Sequence, residues 1–228
     1  MGTSKKGGPK TKPSYKMEKA LLERGYACVC GIDEAGMSCI AGPVVAAAVV
    51  LDPARPIKGL NDSKLLTPEE RSDLFSIISE RSISYAVGIG TVETINSKNI
   101  YWASRDAMLD AIRKILPSPD FLLIDGNQRL KIDISQDSIV KGDGKCCCIA
   151  AASIVAKVSR DRIMEEFHNM YPDYGFITHK GYPTPYHRAA IAEYGLTPLH
   201  RMNFRGVVKP GAWKPVGFNS EGKVVKLV

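Results

Sequence analysis

Short apolar runs broken by glycine, proline and charged residues alternate along the chain with longer stretches of helical spacing. Residues 27–33 (ACVCGID), 83–90 and 121–125 (FLLID) are runs of strand length. The block at 43–51 (PVVAAAVVL) follows Gly42 and ends at Asp52-Pro53, a strand-to-turn signal. Apolar runs of this length, bounded by turn residues, predict buried strands. The runs at 27–33 and 43–51 are expected to form a hairpin across residues 33–36, and a short strand is expected at 138–140. A first helix is expected from about Met17. Thr67, Pro68 and Glu70 make a helix-start pattern, because the hydroxyl and the carboxylate can each satisfy a backbone N–H of the first turn. The spacing of Met108, Ala111, Ile112 and Ile115 predicts one apolar face on a helix over 99–115, stopped by Pro117. Residues 149–167 predict the longest helix, and 186–194 a last one, closed by Gly195 with Pro198 in the exit loop. Strands mixed with longer helices predict an α/β fold.

Size and charge narrow the function. The 228 residues, 44% hydrophobic, suffice for one substantial core. No apolar run reaches membrane-spanning length, and the basic N-terminus has no apolar block after it, so neither a membrane span nor a secretory signal is expected. The net charge of +7 is concentrated at the ends. Residues 1–19 carry six Lys and one Glu, and residues 209–228 carry four Lys and one Glu. The organisation expected is a flexible basic segment at 1–16, a catalytic domain at 17–206 and a mobile basic tail at 207–228. Basic ends strengthen attraction to a polyanion, or simply solubilise, and specific phosphate contacts must come from the nearly neutral middle. The six cysteines, Cys28, Cys30, Cys39 and Cys146 to Cys148, lack both a disulfide framework and a two-pair zinc spacing. They fit a reducing compartment, and a cytoplasmic location is expected.

Four carboxylates stand out. Asp33 and Glu34 close one apolar run, Asp125 closes another, and Asp143 lies between two glycines eighteen positions later. Clustered carboxylates repel unless a hard cation bridges them, and two such cations can activate water and stabilise phosphate charge. Separately, Asp33 and Asp143 also read as turn caps, and Glu34 as a partner of Lys64. Together they point to a metal-dependent phosphodiester-cleaving enzyme.

The ordered segments DEAG, AGPVVAAAV, NDSKLLTPEER, IDGN, KGD, AAASIVAKVSRDRIM and HKGYPTPYH resemble type 2 ribonuclease H, from about Gly31 to Arg205. The resemblance implies a ribonuclease H-like mixed β-sheet flanked by helices, with a helical C-terminal extension. It implies that Asp33, Glu34, Asp125 and Asp143 are catalytic and hold Mg2+ or Mn2+, two ions during catalysis. The implied reaction is endonucleolytic hydrolysis of the RNA strand in RNA–DNA hybrids, or at ribonucleotides in duplex DNA, leaving 5′-phosphate and 3′-hydroxyl ends. The alternatives are a structure-specific DNA nuclease, which needs no 2′-hydroxyl, and a duplex-binding protein that does not cleave.

Substrate contacts are expected from Asn61, Ser63 and Lys64, a compact donor set, and from Ser153 and Lys157 along one helix face. Asp161, four residues after Lys157, offers an ordinary salt bridge instead. Arg160 is a weaker candidate, and Arg201 is expected at the nucleic-acid backbone. Similarity to the family places Tyr182 against the ribose at an RNA–DNA junction and Lys180 near a phosphate. His179, His187 and His200 can support loops, bind phosphate or sit at the surface. One departure matters: where the family reads Gly-Arg-Gly after DEA, this chain reads Gly36, Met37 and Ser38. Met37 supplies no guanidinium for a charge-assisted phosphate contact, so a weakened preference for a single embedded ribonucleotide is expected, with cleavage retained. A monomer is expected, with a replication-protein contact through a tail.

Overall fold

The strand-length runs become β1 (Val29–Ala35), β2 (Val44–Val50), β3 (Ser84–Gly90), β4 (Phe121–Asp125) and β5 (Ser135–Ile139). They form one mixed sheet in the order β3-β2-β1-β4-β5. The computed structural model describes residues 12–204, 207, 216–218 and 224–226. The expected α/β architecture is therefore present. β2 neighbours β1, as the hairpin expectation required, and it is buried along its whole length. β5 begins three residues earlier than expected because it pairs with β4 in parallel, from Phe121 with Ser135 to Asp125 with Ile139. Its alternating polar sequence, SQDSI, carries little apolar signal on its own.

The helices are α1 (Lys16–Glu23), α2 (Pro68–Arg81), α3 (Val92–Lys98), α4 (Ile100–Arg113), α5 (Cys147–Met170), α6 (Phe176–His179) and α7 (Pro185–Tyr194). α2 starts at the capping box read from the sequence: Thr67 Oγ1 accepts from Glu70 N at 3.2 Å, and Glu70 Oε2 accepts from Thr67 N at 2.7 Å. α3, which the spacing did not predict, is capped by Thr91 and ends at Asn99, where φ of 74° turns the chain into α4. α5 runs longer than expected at both ends, and among the described residues no helix is long and apolar enough to cross a membrane. A second, antiparallel sheet pairs β6 (Val216–Phe218) with β7 (Val224–Lys226) in the expected tail. The rest of the tail, and residues 1–11, lie outside the described residues. Within the expected flexible segment, Ser14 forms a parallel bridge with Cys146 and donates to the Lys145 carbonyl at 3.0 Å.

The chain divides into two compact units. One takes in the chain to Asp33, Ala47–Ala86 and Ile112–Val155; the other holds Glu34–Ala46, Val87–Ala111 and the chain from Ala156. In the first unit α5 approaches β1 so closely that a Cβ on Gly31 would overlap the Cys148 backbone. Glu18 of α1 meets the start of the same helix, accepting from Cys148 N at 2.8 Å. In the second unit Ala41, Met164, Tyr174, Phe176 and Ala190 form a buried cluster, and Val44, Ile95 and Ala103 form another.

Candidate active site and recognition loops

The parallel register of β1 and β4 pairs Val29 with Phe121 and continues to Ile32 with Ile124. Asp33 and Asp125 each follow that last pair, so both stand at the same end of neighbouring strands, on the same phase of the pleat. Asp143 arrives by the turn after β5: Lys141 takes a left-handed φ of 56°, and Gly142–Gly144 forms a 3-10 turn. That turn is tied to β4, since Asp125 Oδ1 accepts from Gly142 N at 2.7 Å, while Asp143 Oδ1 accepts from Gly144 N at 2.9 Å.

Asp33, Asp125 and Asp143 all lie close enough to Lys64 to bear on its charge. Lys64 feels Asp62, Asp33, Asp143 and Asp125 together; burial alone would lower its pKa, yet the four carboxylates raise it. Asp143, buried at 7% exposure, has its pKa raised by desolvation first, then by Asp62 and Asp125, against the opposing pull of Lys64. A carboxylate disfavoured as an anion in this way gains from a cation. All the candidate ligands are hard oxygens, a set suited to a hard divalent cation. Among the described residues no three His, Cys, Asp or Glu side chains are gathered into a ready cation cage. A cation that keeps several water ligands and takes substrate oxygens does not need one. All six cysteines are free and buried.

Glu34 differs from the other three. β1 continues through Glu34 to Ala35, and in a regular pleat Asp33 and Glu34 alternate faces. The partly buried Glu34 therefore has a different local setting from the buried Asp33.

Several expected contact residues turn out to be internal. Ser63 and Ser153 are 4% and 5% exposed, and their hydroxyls bond each other at 2.8 Å. They join the segment carrying Asn61 and Lys64 to α5, which corrects the expectation that both face a substrate. Asn61 Oδ1 accepts from Asp62 N, and Asp62 accepts from Lys64 N, so the loop is held by its own polar side chains. The salt-bridge alternative for Lys157 is realised, at 2.6 Å to Asp161. Lys180 pairs with Glu165 at 2.8 Å, and Tyr182 is 39% exposed.

Arg201 is the clearest correction. It is 0% exposed, so its guanidinium cannot line an open groove. It donates to the carbonyls of Gly42, Gly36, Cys39 and Pro43 at 2.7–3.0 Å, and more weakly to Met37. Burial lowers its pKa to about 10, which still leaves it charged. Arg160, 1% exposed, donates to Pro43, Lys180 and Ala41 carbonyls at 2.8–3.1 Å. Two buried guanidiniums thus mould residues 36–43 from inside. Gly36, with φ of 100°, lies against Arg160, where any Cβ would overlap the guanidinium. Met37 packs with Ile100 and Phe204 against the cluster of Val44, Ile95 and Ala103, while Ser38 is exposed. The signal for these arginines was faint, because charged residues are rarely fully buried.

The family model for ribonuclease HII matches residues 30–207. The chain belongs to the ribonuclease HII family. A ribonuclease HII of Solibacter usitatus is 46% identical over 200 residues, covering 88% of this chain and 87% of that protein. The crystal structure of ribonuclease H2 from Pyrococcus horikoshii is similar with a TM-score of 0.70 at 27% identity, covering 79% of this chain and 95% of that one. The ribonuclease HII from Archaeoglobus fulgidus, solved as a PCNA complex, is similar with a TM-score of 0.68 at 26% identity, covering 78% and 96%. The protein is a type 2 ribonuclease H, an endonuclease acting on RNA–DNA hybrids, and ribonucleases H are metal-dependent.

Proposed function

We propose that this ribonuclease HII cleaves the RNA strand of a hybrid at a centre built from Asp33, Asp125 and Asp143, with Glu34 completing it, and that it leaves 5′-phosphate and 3′-hydroxyl ends. The observation that carries this reading is the parallel register that ends β1 and β4 at Asp33 and Asp125, with the turn bearing Asp143 tied to Asp125 through Gly142 N. Mg2+ or Mn2+, two ions during catalysis, would lower the cost of deprotonating water and neutralise charge on the scissile phosphate. Asp33 and Asp125 offer oxygens from rigid strand ends, and Asp143 offers one from a turn that Asp125 itself holds. Lys64 balances part of the acidic field and lies beside Asn61, a suitable pair for a phosphate near the scissile bond.

In this reading substrate is recognised by Gly36, Met37 and Ser38 through backbone and hydroxyl, by Tyr182 against the ribose, and by Lys180 at a phosphate. Lys157 is a second phosphate contact once Asp161 releases it. Arg201, Ser63 and Ser153 act through the loops they hold. The working location is the cytoplasm, the unit is a monomer, and contact with a replication protein is assigned to the tail beyond residue 207. The PCNA complex of the Archaeoglobus fulgidus protein motivates that last assignment.

The test compares matched duplexes of equal length: an RNA–DNA hybrid, DNA with one embedded ribonucleotide, and all-DNA, each with Mg2+ and with Mn2+. Cleavage of the hybrid, with no marked preference for the embedded ribonucleotide, is expected, and Asp125→Asn should abolish it. Cleavage of the all-DNA duplex at a comparable rate would favour a DNA nuclease. Binding without products under either metal would favour a non-cleaving duplex binder.

A further inference from the structure

The carbonyl of Tyr182 sits at the end of a chain of buried imidazoles. His187 Nδ1 lies 2.9 Å from the Tyr182 carbonyl oxygen, His187 Nε2 lies 3.1 Å from His200 Nε2, and His200 Nδ1 lies 3.0 Å from both Thr197 N and Thr197 Oγ1. These contacts fix every proton. A backbone N–H only donates, so His200 Nδ1 accepts from Thr197 and carries its proton on Nε2. A carbonyl only accepts, so His187 donates from Nδ1 and leaves Nε2 to accept from His200. Thr197 Oγ1 accepts from Leu199 N at 3.2 Å, which aims its own hydroxyl hydrogen at His200. Exposures of 0% for His187 and 1% for His200 keep water out of this order.

The backbone on both sides of the Tyr182 Cα is held from other directions. Tyr182 N donates to the His179 carbonyl at 2.9 Å, and Thr184 N donates to the Tyr182 carbonyl at 2.8 Å. His179 stacks on His187 with ring centroids 4.3 Å apart, and its Nδ1 accepts from Gly181 N at 3.1 Å. Gly181 in turn accepts from Ile40 N at 2.9 Å, and Lys180 accepts from Arg160. An exposed tyrosine ring is thus carried between two peptide groups, each held by backbone partners, with His187 the side chain that bonds to one of them.

We propose that His187 is a positioning residue for Tyr182: as the neutral Nδ1–H tautomer set by His200 and Thr197, it aims the Tyr182 ring at the sugar. The proposal rests on the reading of Tyr182 as the residue facing the ribose. His187 touches no substrate atom; it acts by holding a carbonyl. Loss of that bond leaves the Tyr182 carbonyl to Thr184 N alone and loosens the mounting of the ring, and errors of about 1 Å in placement can cost up to 100-fold in rate.

Two amide replacements separate the two ends of the imidazole. Asn places an N–H near the Nδ1 position and can keep the bond to Tyr182, whereas Gln reaches toward His200 and leaves the carbonyl. For hybrid cleavage, His187→Gln should lower kcat/KM about tenfold, and His187→Asn should stay within about threefold of the parent. In a Tyr182→Ala background, His187→Gln should change kcat/KM less than about twofold, since the ring it positions is gone. An equal loss from His187→Gln in both backgrounds would overturn the positioning role and leave the Tyr182 reading standing. A Tyr182→Ala enzyme with parental kcat/KM would overturn both. Should the Gln variant fail to fold, nitrogen-15 correlation spectra of the parent decide the matter: His187 must show a single proton on Nδ1 at neutral pH, and a proton on Nε2 would sink the proposal.

Discussion

In the unit carrying Asp33, Asp125 and Asp143, like charges crowd one another and Lys64 offsets them in part. In the unit carrying residues 36–43, Arg160 and Arg201 are more deeply buried, yet carbonyl dipoles meet every part of their guanidiniums that the fold uses. The first region is left in electrostatic tension that a cation or a substrate phosphate can relieve. The second is satisfied before any ligand arrives. Catalytic groups need the first condition, because only a charge not yet compensated can bind strongly to something new. Recognition loops need the second, since order established on folding is not lost again on binding.

This contrast predicts opposite responses to removing one charge from each region. Asp143→Asn should lower cleavage by about a thousandfold or more, by analogy with the loss of other preorganised electrostatic groups. Without added metal the same variant should be slightly more stable than the parent, by about 1 kcal/mol, because the replaced group is a desolvated anion facing Asp62 and Asp125. Urea midpoints in chelator, set beside rates in Mn2+, test both halves. A variant that is inactive and also clearly destabilised would show that Asp143 helps hold the fold.

Arg201→Met should do the reverse. It strands the carbonyls of Gly36, Cys39, Gly42 and Pro43 in a buried setting. A loss of about 3–5 kcal/mol is expected, the range for breaking a buried charged network. Thermal unfolding measures this directly, and a melting point close to the parent's would mean that water replaces the guanidinium.

The histidines of the second region give a pH signature. Unfolded, each titrates near 6.5; in the fold, burial lowers His187 to about 4 and His200 to about 3. Between those values the unfolded chain binds more protons, so stability is complete above about pH 6.5 and falls as pH drops toward 3. The loss should amount to a few kcal/mol, on the order of 1.4 kcal/mol for each pKa unit of difference. Urea midpoints at pH 7 and pH 4.5 read it, and His200→Asn should flatten the slope. Equal slopes in parent and variant would assign the acid sensitivity to other groups.

The sequence revealed the first region more fully than the second. Asp125 ends an apolar run beside Gly126, and Asp143 sits between glycines, so each is marked by its neighbours. Pattern alone could not supply the register that sets Asp33 beside Asp125, because parallel pairing joins runs more than ninety residues apart. It also ended β1 at Asp33, two residues before the strand's end at Ala35. Arg160 and Arg201 read as nucleic-acid contacts, and the histidines as loop supports, phosphate ligands or surface residues, since nothing local announces that a charged or titratable side chain will find carbonyl partners across the chain. The serines misled for the same reason: Ser63 and Ser153 find each other, ninety positions apart.

Met37 is where the comparison can be sharpened with the smallest change. Its side chain packs against the cluster of Val44, Ile95 and Ala103, so residues 36–43 are anchored by apolar contact as well as by the arginines beneath them. Met37→Arg restores a guanidinium without touching Gly36 or the carbonyls bound by Arg201. The long stem of arginine can keep part of the apolar contact while its charged end reaches water, so a stability cost of about 1 kcal/mol or less is expected. If residues 36–43 are already shaped by Arg160 and Arg201, the new charge needs no reorganisation to meet a phosphate. The ratio of kcat/KM for an embedded ribonucleotide over hybrid should then rise several-fold, the worth of one charge-assisted contact at a partly exposed site being about 1 kcal/mol. The rise should shrink with added salt, as a phosphate contact requires. An unchanged ratio at low salt would mean that the position of the segment, and not the missing charge, sets substrate choice in this chain.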